Sequence, residues 1–359
     1  MLPLVQGEQA RPIIEAKSQA VAARGRLASL DALRGIAAVS VMLLHFTTDF
    51  HRDFKPSQIS FFSWPYGAYG VHLFFLISGF VILMTAEKSK RPSDFVVSRF
   101  SRLYPPYWAA LILTTVLLLA VPTIGVLDPG HLLRRALINV TMLQSWGGFG
   151  NVDTVYWTLQ IEMSFYLILL VLIWRKAVPY SLLVMTGLVV LALIDHLFVP
   201  RPWSEPYARL RQLLFLEHAY LFTAGMVFYK MREGFKLRYL FILLLCAMCP
   251  AVAAYPPNNP PQDTCIAVTL GLVVYLATSG RVNWIACRPL LYLGGISYSL
   301  YLTHHWLGQT FLDRADKWGM NPNAALLAGI TLCLVTASLM TYLVERPSLR
   351  WLRQRLGHR

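Results

Sequence analysis

Charged side chains are scarce in this chain of 359 residues, with Asp, Glu, Lys and Arg together making 14%. A soluble domain carries roughly a quarter, so a water-bathed globule is excluded as the main body. Acidic groups are scarcer still, 18 against 32 Lys and Arg. No cleavable leader is expected either. Residues 1–28 hold Glu8, Arg11, Glu15, Lys17, Arg24 and Arg26 without an apolar core, and read as a cytosolic tail. No fixed-period repeat and no polar stretch of domain size is found, so neither a solenoid nor a soluble appendage is expected. Only five cysteines occur. Cys246 and Cys249 form a C-x-x-C, but inside an apolar run, so buried thiols read better there than a metal or redox centre.

Long apolar runs fill the chain instead: 56% of residues are hydrophobic. A membrane span needs about 20 mostly apolar residues. Such runs lie near 31–48, 69–86, 106–123, 156–174, 179–199, 212–230, 237–254, 264–279, 290–312 and 324–344. Leu132 to Trp146 starts with Arg134 and Arg135 and is too short and too charged to cross. The turn Tyr255-Pro-Pro-Asn-Asn-Pro-Pro separates two runs, because proline cannot continue a helix. The expected fold is all-α: a polytopic membrane bundle of about ten transmembrane helices with both termini cytosolic. One short non-spanning helix is expected near 132–146. The expected organisation is a cytosolic tail at 1–28, a membrane domain at 29–347 and a basic cytosolic tail at 348–359.

The net charge of +14 invites a nucleic-acid reading, but its distribution answers that. With the N-terminus inside and ten spans, the inner segments hold 22 of the Lys and Arg and the outer segments nine. That is the positive-inside pattern. The charge is a topology signal, and no nucleic-acid partner is expected.

Ionisable residues inside spans cost about 2.5 to 3.5 kcal/mol each on insertion scales, so chemistry is sought there. Arg34 and His45 are eleven residues apart. At 100° per residue they share one helix face, roughly 16 Å apart along the axis. Arg34 belongs near the inner surface and His45 in the outer half. The plain alternative has Arg34 reaching headgroups and His45 bonding a neighbouring helix. Glu162 lies at a depth similar to that of His45, and His72, Glu217, His218, His304 and His305 also fall in outer halves. Arg99 and Arg102, three apart, share a face if their segment is helical. Guanidinium forks suit phosphates, while for an isolated Arg-x-x-Arg ordinary inner-surface anchoring is the favoured reading.

Arg34-(ten residues)-His45 within LDALRGIAAVSVMLLHF resembles the signature of the membrane acyltransferase-3 family, bacterial O-acyltransferases of polysaccharides, lipopolysaccharide and Nod factors. Gly70-Val-His-Leu-Phe-Phe-Leu-Ile-Ser-Gly79-Phe and Arg99-Phe-Ser-Arg102-Leu-Tyr-Pro105 resemble further family elements. So do Trp157-Thr-Leu-Gln-Ile-Glu162, Gly295-Ile-Ser-Tyr-Ser-Leu-Tyr301-Leu-Thr-His304 and Glu345-Arg346-Pro347. The order is kept from about Leu30 to Pro347, although His72 stands where many members have Asp. The resemblance implies an acyl-CoA donor, most often acetyl-CoA, offered from the cytosol. It also implies a carbohydrate or glycolipid acceptor at the outer face, a bacterial plasma-membrane location among lipid, and an Arg34/His45 pair essential to transfer. On that basis Arg34, Arg99 and Arg102 are expected to hold the CoA phosphates. His45 is expected to act as general base, with Glu162 orienting its ring, and no metal is expected. A route through an acyl-histidine is equally compatible. The rival reading is a transporter or flippase using the same buried groups as a solute path. It lacks the paired, broken helices such folds often show.

Overall fold

The computed structural model describes residues 28–121, 128–199, 202–252 and 260–356. The expected tail at 1–28, apart from Ala28, lies outside the described residues, as does most of the turn after Tyr255 and the last three residues of the expected C-terminal tail. Among the described residues every regular element is helical, with no strand. In order these are α1 (Ala28–Phe54), α2 (Pro65–Lys88) and α3 (Pro92–Ala120), then α4 (Pro129–Asn139). Next come α5 (Thr154–Trp174) and α6 (Val178–Phe198), α7 (Glu205–Leu213), α8 (Ala219–Lys230) and α9 (Leu237–Val252). The last are α10 (Pro260–Thr278), α11 (Arg288–Lys317) and α12 (Pro322–Leu352), which stays helical to Leu356. Several helices open on proline, whose fixed φ suits a first turn and whose missing N–H is not needed there. Asp128 and Asn321 then cap α4 and α12 by accepting from His131 N and Ala324 N respectively.

Seven helices are long and apolar enough to cross a membrane: α1, α2, α3, α5, α6, the Pro261–Thr278 stretch of α10, and α12. The sequence expectation was about ten, and the other three runs differ for separate reasons. The run at 212–230 is broken after α7 ends at Leu213, and its helical remainder is the 12 residues of α8, about 18 Å. The apolar α9 has 16 residues, just short of a span. By contrast α11 is 30 residues long, about 45 Å, but polar. It buries Ser299, Thr303, His304, His305, Gln309 and Asp313, so it turns its polar groups inward to the bundle.

Two boundaries move in ways that matter. The segment before the third run is already helical from Pro92, with Pro105 and Pro106 inside α3. Arg99 and Arg102 are therefore neighbours on a helix face. The short element expected at 132–146 is an eleven-residue helix ending at Asn139. Three aromatics of α3 donate to carbonyls at and just past its C-terminus. Tyr107 Oη donates to Asn139 O at 2.8 Å, Trp108 Nε1 to Val140 O at 2.9 Å and Tyr104 Oη to Thr141 O at 2.9 Å.

In lipid no hydrophobic drive holds helices together, so close packing through small residues does. At the α2–α8 crossing, a Cβ on Gly79 would stand 2.1 Å from Phe222 O, and one on Gly225 would stand 2.0 Å from Leu76 O. At the α1–α11 crossing, a Cβ on Gly294 would stand 2.0 Å from Asp31 O. These obstacles are backbone and cannot rotate away. Gly225→Val is expected to destabilise the bundle by about 2 kcal/mol or more, read as a lower melting midpoint in detergent. Gly187→Ala, with nothing within 4 Å, serves as the control and should leave the midpoint unchanged.

Candidate active site

Two cavities lie along a polar seam between α1, α5 and α11. The first gathers cations. Arg34 from α1, Arg99 and Arg102 from α3, and Glu162 from α5 line a space of about 80 Å³ with Tyr166 and Tyr298. Arg34 Nη1 keeps Asp31 at 3.2 Å. Arg99 is 9% exposed, and its Nη2 donates to Ser98 Oγ at 3.0 Å while Nε has no partner. Glu162 accepts from Ser78 Oγ at 2.8 Å. The lining itself carries three guanidinium groups and one carboxylate, with Asp31 on Arg34 outside it, and the unpartnered Nε of Arg99 leaves a donor for an anion with several oxygens.

The second cavity, about 410 Å³, is lined by His45, Asp49 and Arg52 of α1, Thr154 of α5, and His305 and Gln309 of α11. His45 opens a π-helical turn, His45–Asp49, an irregularity frequent at functional sites. Thr47 and Gln309 brace it. Thr47 Oγ1 donates to Leu43 O at 2.7 Å and accepts from Trp64 N at 3.0 Å. Gln309 Nε2 donates to the His45 carbonyl at 3.1 Å. Asp49 Oδ2 stands 2.7 Å from His45 Nδ1. It lies off the line of that N–H, so the pair is electrostatic contact more than directed bond. Asp49 also holds Arg52 at 3.0 Å. A carboxylate at Nδ1 favours the tautomer that leaves Nε2 as the base.

Two more imidazoles surround His45. Its ring centroid is 4.7 Å from that of His305, edge to face, and 5.3 Å from that of His304. His304 Nδ1 lies 3.1 Å from Leu300 O and 3.0 Å from Tyr301 O. Both partners are acceptors, so the proton sits on Nδ1. His305 Nδ1 lies 2.9 Å from Asp153 Oδ1, again off the line of a directed bond, so this pair too is an electrostatic contact. Asp153 is placed by its own loop: Asn139 Oδ1 accepts Val152 N at 3.0 Å, and Gln144 Nε2 donates to Asn151 Oδ1 at 2.7 Å.

Between the cavities stands Tyr301. Its Oη lies 2.9 Å from Thr158 Oγ1 and donates to Val155 O at 3.2 Å. Phe74 packs edge-on with centroids 5.6 Å apart. Along α5, Thr154, Thr158 and Glu162 follow at four-residue steps, so the seam passes from one cavity to the other along one face.

The arrangement corrects one expected contact. Glu162 does not touch His45; its partner is Ser78, and the carboxylate beside His45 is Asp49. The expectation assumed that helix ends are level. They are not, because α1 runs nine residues beyond His45, which therefore faces Thr154 at the first turn of α5. Glu162 lies eight residues further on, about 12 Å along the axis. The outer-half groups also divide. His72, Glu217 and His218 line a separate cavity of about 490 Å³ with Tyr69, Trp203 and Asp263. Asp49, Asp153 and Gln309 carry no expected role in the sequence, and Tyr301 stands there only within the Gly295–His304 element. Only the His45-x-x-x-Asp49 spacing carried a signal, one helical turn.

A family model described as an acyltransferase domain matches residues 27–343. The chain belongs to the acyltransferase-3 family. As a member it is an integral membrane acyltransferase, in keeping with its seven long apolar helices. It is similar to acyltransferase MdmB of Streptomyces mycarofaciens, 25% identical across 92% of this chain and 93% of that protein. It is similar to exopolysaccharide production protein ExoZ of Rhizobium meliloti (strain 1021), 27% identical across 79% of this chain and 90% of that one. Nodulation protein 10 of Rhizobium leguminosarum bv. viciae is 29% identical over 42% of this acyltransferase and 46% of its own length. No solved structure matches it.

Proposed function

We propose that this acyltransferase moves an acyl group, in the first place acetyl, from cytosolic acyl-CoA to a hydroxyl of a saccharide-type acceptor at the outer face of a bacterial plasma membrane. The observation that carries the reading is the seam itself, with three arginines at one end and an imidazole–carboxylate pair at the other. If α8, α9 and α11 cross together with the seven apolar helices, the chain makes ten crossings with both ends inside. The domain then spans 29–347 between cytosolic tails. Arg34, Arg99 and Arg102 lie towards the cytosol, where a phosphate-rich donor arrives, and His45 lies towards the outer face. The polyanionic end of CoA suits the arginines, and its neutral arm follows the seam past Tyr301. The partition of Tyr301 and Thr158 has to part for the thioester to reach His45. There His45 Nε2 takes the proton of the acceptor hydroxyl, the oxygen attacks the thioester carbonyl, and Asp49 steadies the imidazolium. The names of MdmB and ExoZ support acyl transfer and an exopolysaccharide setting.

Labelled acetyl-CoA supplied to membranes carrying the protein tests this. Label is expected in a glycan fraction, and mass spectrometry of surface glycans with and without the gene identifies acyl group and acceptor. Uptake of a polar solute into vesicles with acetyl-CoA left intact would sink the reading.

Glu162 has a different expected role from the one its depth suggested. It is a negative charge in an anion site, so Glu162→Gln is expected to lower the KM for acetyl-CoA about three- to tenfold, an effect of order 1 kcal/mol. The turnover set by His45 should change little. A fall in kcat at constant KM would return Glu162 to the reacting centre.

A further inference from the structure

Asp153 caps the start of α5, a position where Asp is common. It accepts Val155 N at 3.3 Å before the first turn of α5, a task Ser or Asn performs without charge. Yet it is wholly buried, at 0% exposure, and its Oδ2 has no hydrogen-bond partner. A buried carboxylate is retained at large desolvation cost unless paired. Among the described residues the one cation within ion-pair distance is the His305 ring, at 2.9 Å. His305 lines the same cavity as His45, and its Nε2 lies 3.5 Å from Thr154 Oγ1.

The two histidine–carboxylate pairs differ in one respect. Asp49 has a second cationic neighbour, Arg52 at 3.0 Å, whereas among the described residues Asp153 has only the His305 ring. Resting on the acyl-transfer reading above, we propose that His305, held by Asp153, is the second acid–base residue of this cavity and protonates the departing CoA sulfur. The step balances. The acceptor O–H proton goes to His45 Nε2 as the new C–O bond forms. The C–S bond breaks, and the sulfur takes a proton from His305 Nε2, giving free CoA thiol and the ester. The proton on His45 then restores His305 across ring centroids 4.7 Å apart. The other groups around His305 are His304 on α11, and His45, Asp49, Arg52 and Asp53 on α1.

The experiment compares two donors with the purified full-length protein: acetyl-CoA, whose thiolate benefits from a proton, and S-(4-nitrophenyl) thioacetate, whose thiolate leaves without one. His305→Gln is expected to lower kcat with acetyl-CoA about 100-fold and to retain most of the wild-type rate with the activated thioester. Asp153→Asn should show the same pattern at smaller size, and His45→Ala should fail with both donors. In the pH profile with acetyl-CoA, His305→Gln should lose the alkaline limb, where the acid must still hold its proton, and keep the acid limb of the base. Equal loss with both donors, or no loss with either, would overturn the role of His305. Absence of transfer from either donor in the wild type would overturn the acyl-transfer reading itself and this proposal with it.

Discussion

His45→Ala is expected to abolish acyl transfer, lowering kcat by about 10³-fold or more while the KM for acetyl-CoA stays within about twofold. The size follows from what a positioned base contributes, roughly 10² to 10⁴. The split follows from distance. Arg34 and His45 are eleven residues apart on α1, about 16 Å, so the ring has no hand in holding the donor's phosphates. Folding should survive, because Gln309 bonds the His45 carbonyl and not its ring, the ring packs against His304 and His305, and Asp49 keeps Arg52 when the imidazole is gone. Asp49→Asn keeps the shape and removes the charge at Nδ1, and should cost ten- to a hundredfold. Purified protein assayed for thiol release from acetyl-CoA, with its elution profile as the folding check, gives the answer. A fully active His45→Ala would end the case for this base.

Arg99→Ala combined with Arg102→Ala should raise the KM for acetyl-CoA by about 10²-fold or more and leave the KM for the acceptor unchanged. Hydrogen bonds to charged groups contribute about 1.5 to 3 kcal/mol each, and two are removed. Replacing both by Lys should recover part of the loss, since charge returns without the planar fork. Placement separates donor binding from headgroup anchoring. An anchoring arginine reaches outward, whereas Arg99 is 9% exposed and lines a cavity with Arg34 and Glu162. If the acceptor KM rises instead, the cationic cavity belongs to the acceptor and not to CoA.

The helical membrane architecture was legible because period and length are local properties. Apolar runs of span length announce themselves, and the Arg34–His45 spacing sets a common face whatever surrounds it. The count was less legible. On α11, Ser299, Thr303, His304 and Gln309 interrupt the apolar run, and only packing shows that they are buried inward. Glu162 shows the limit more sharply. Position along a helix follows from the sequence of α5 alone, but the helices are staggered, and stagger is a relation between elements.

The sequence by itself determined an all-helical membrane protein, its family, and an arginine-to-imidazole axis on the first helix, because each is written in one continuous stretch. Tertiary structure decided who stands beside whom. It put Asp49 and not Glu162 at His45, drew Glu162 among the arginines, and brought Asp153 to His305 across 152 positions. Such pairings depend on the height and rotation of each helix against its neighbours. Backbone crossings at Gly79 with Phe222 and at Gly294 with Asp31 set those, and no single segment encodes them.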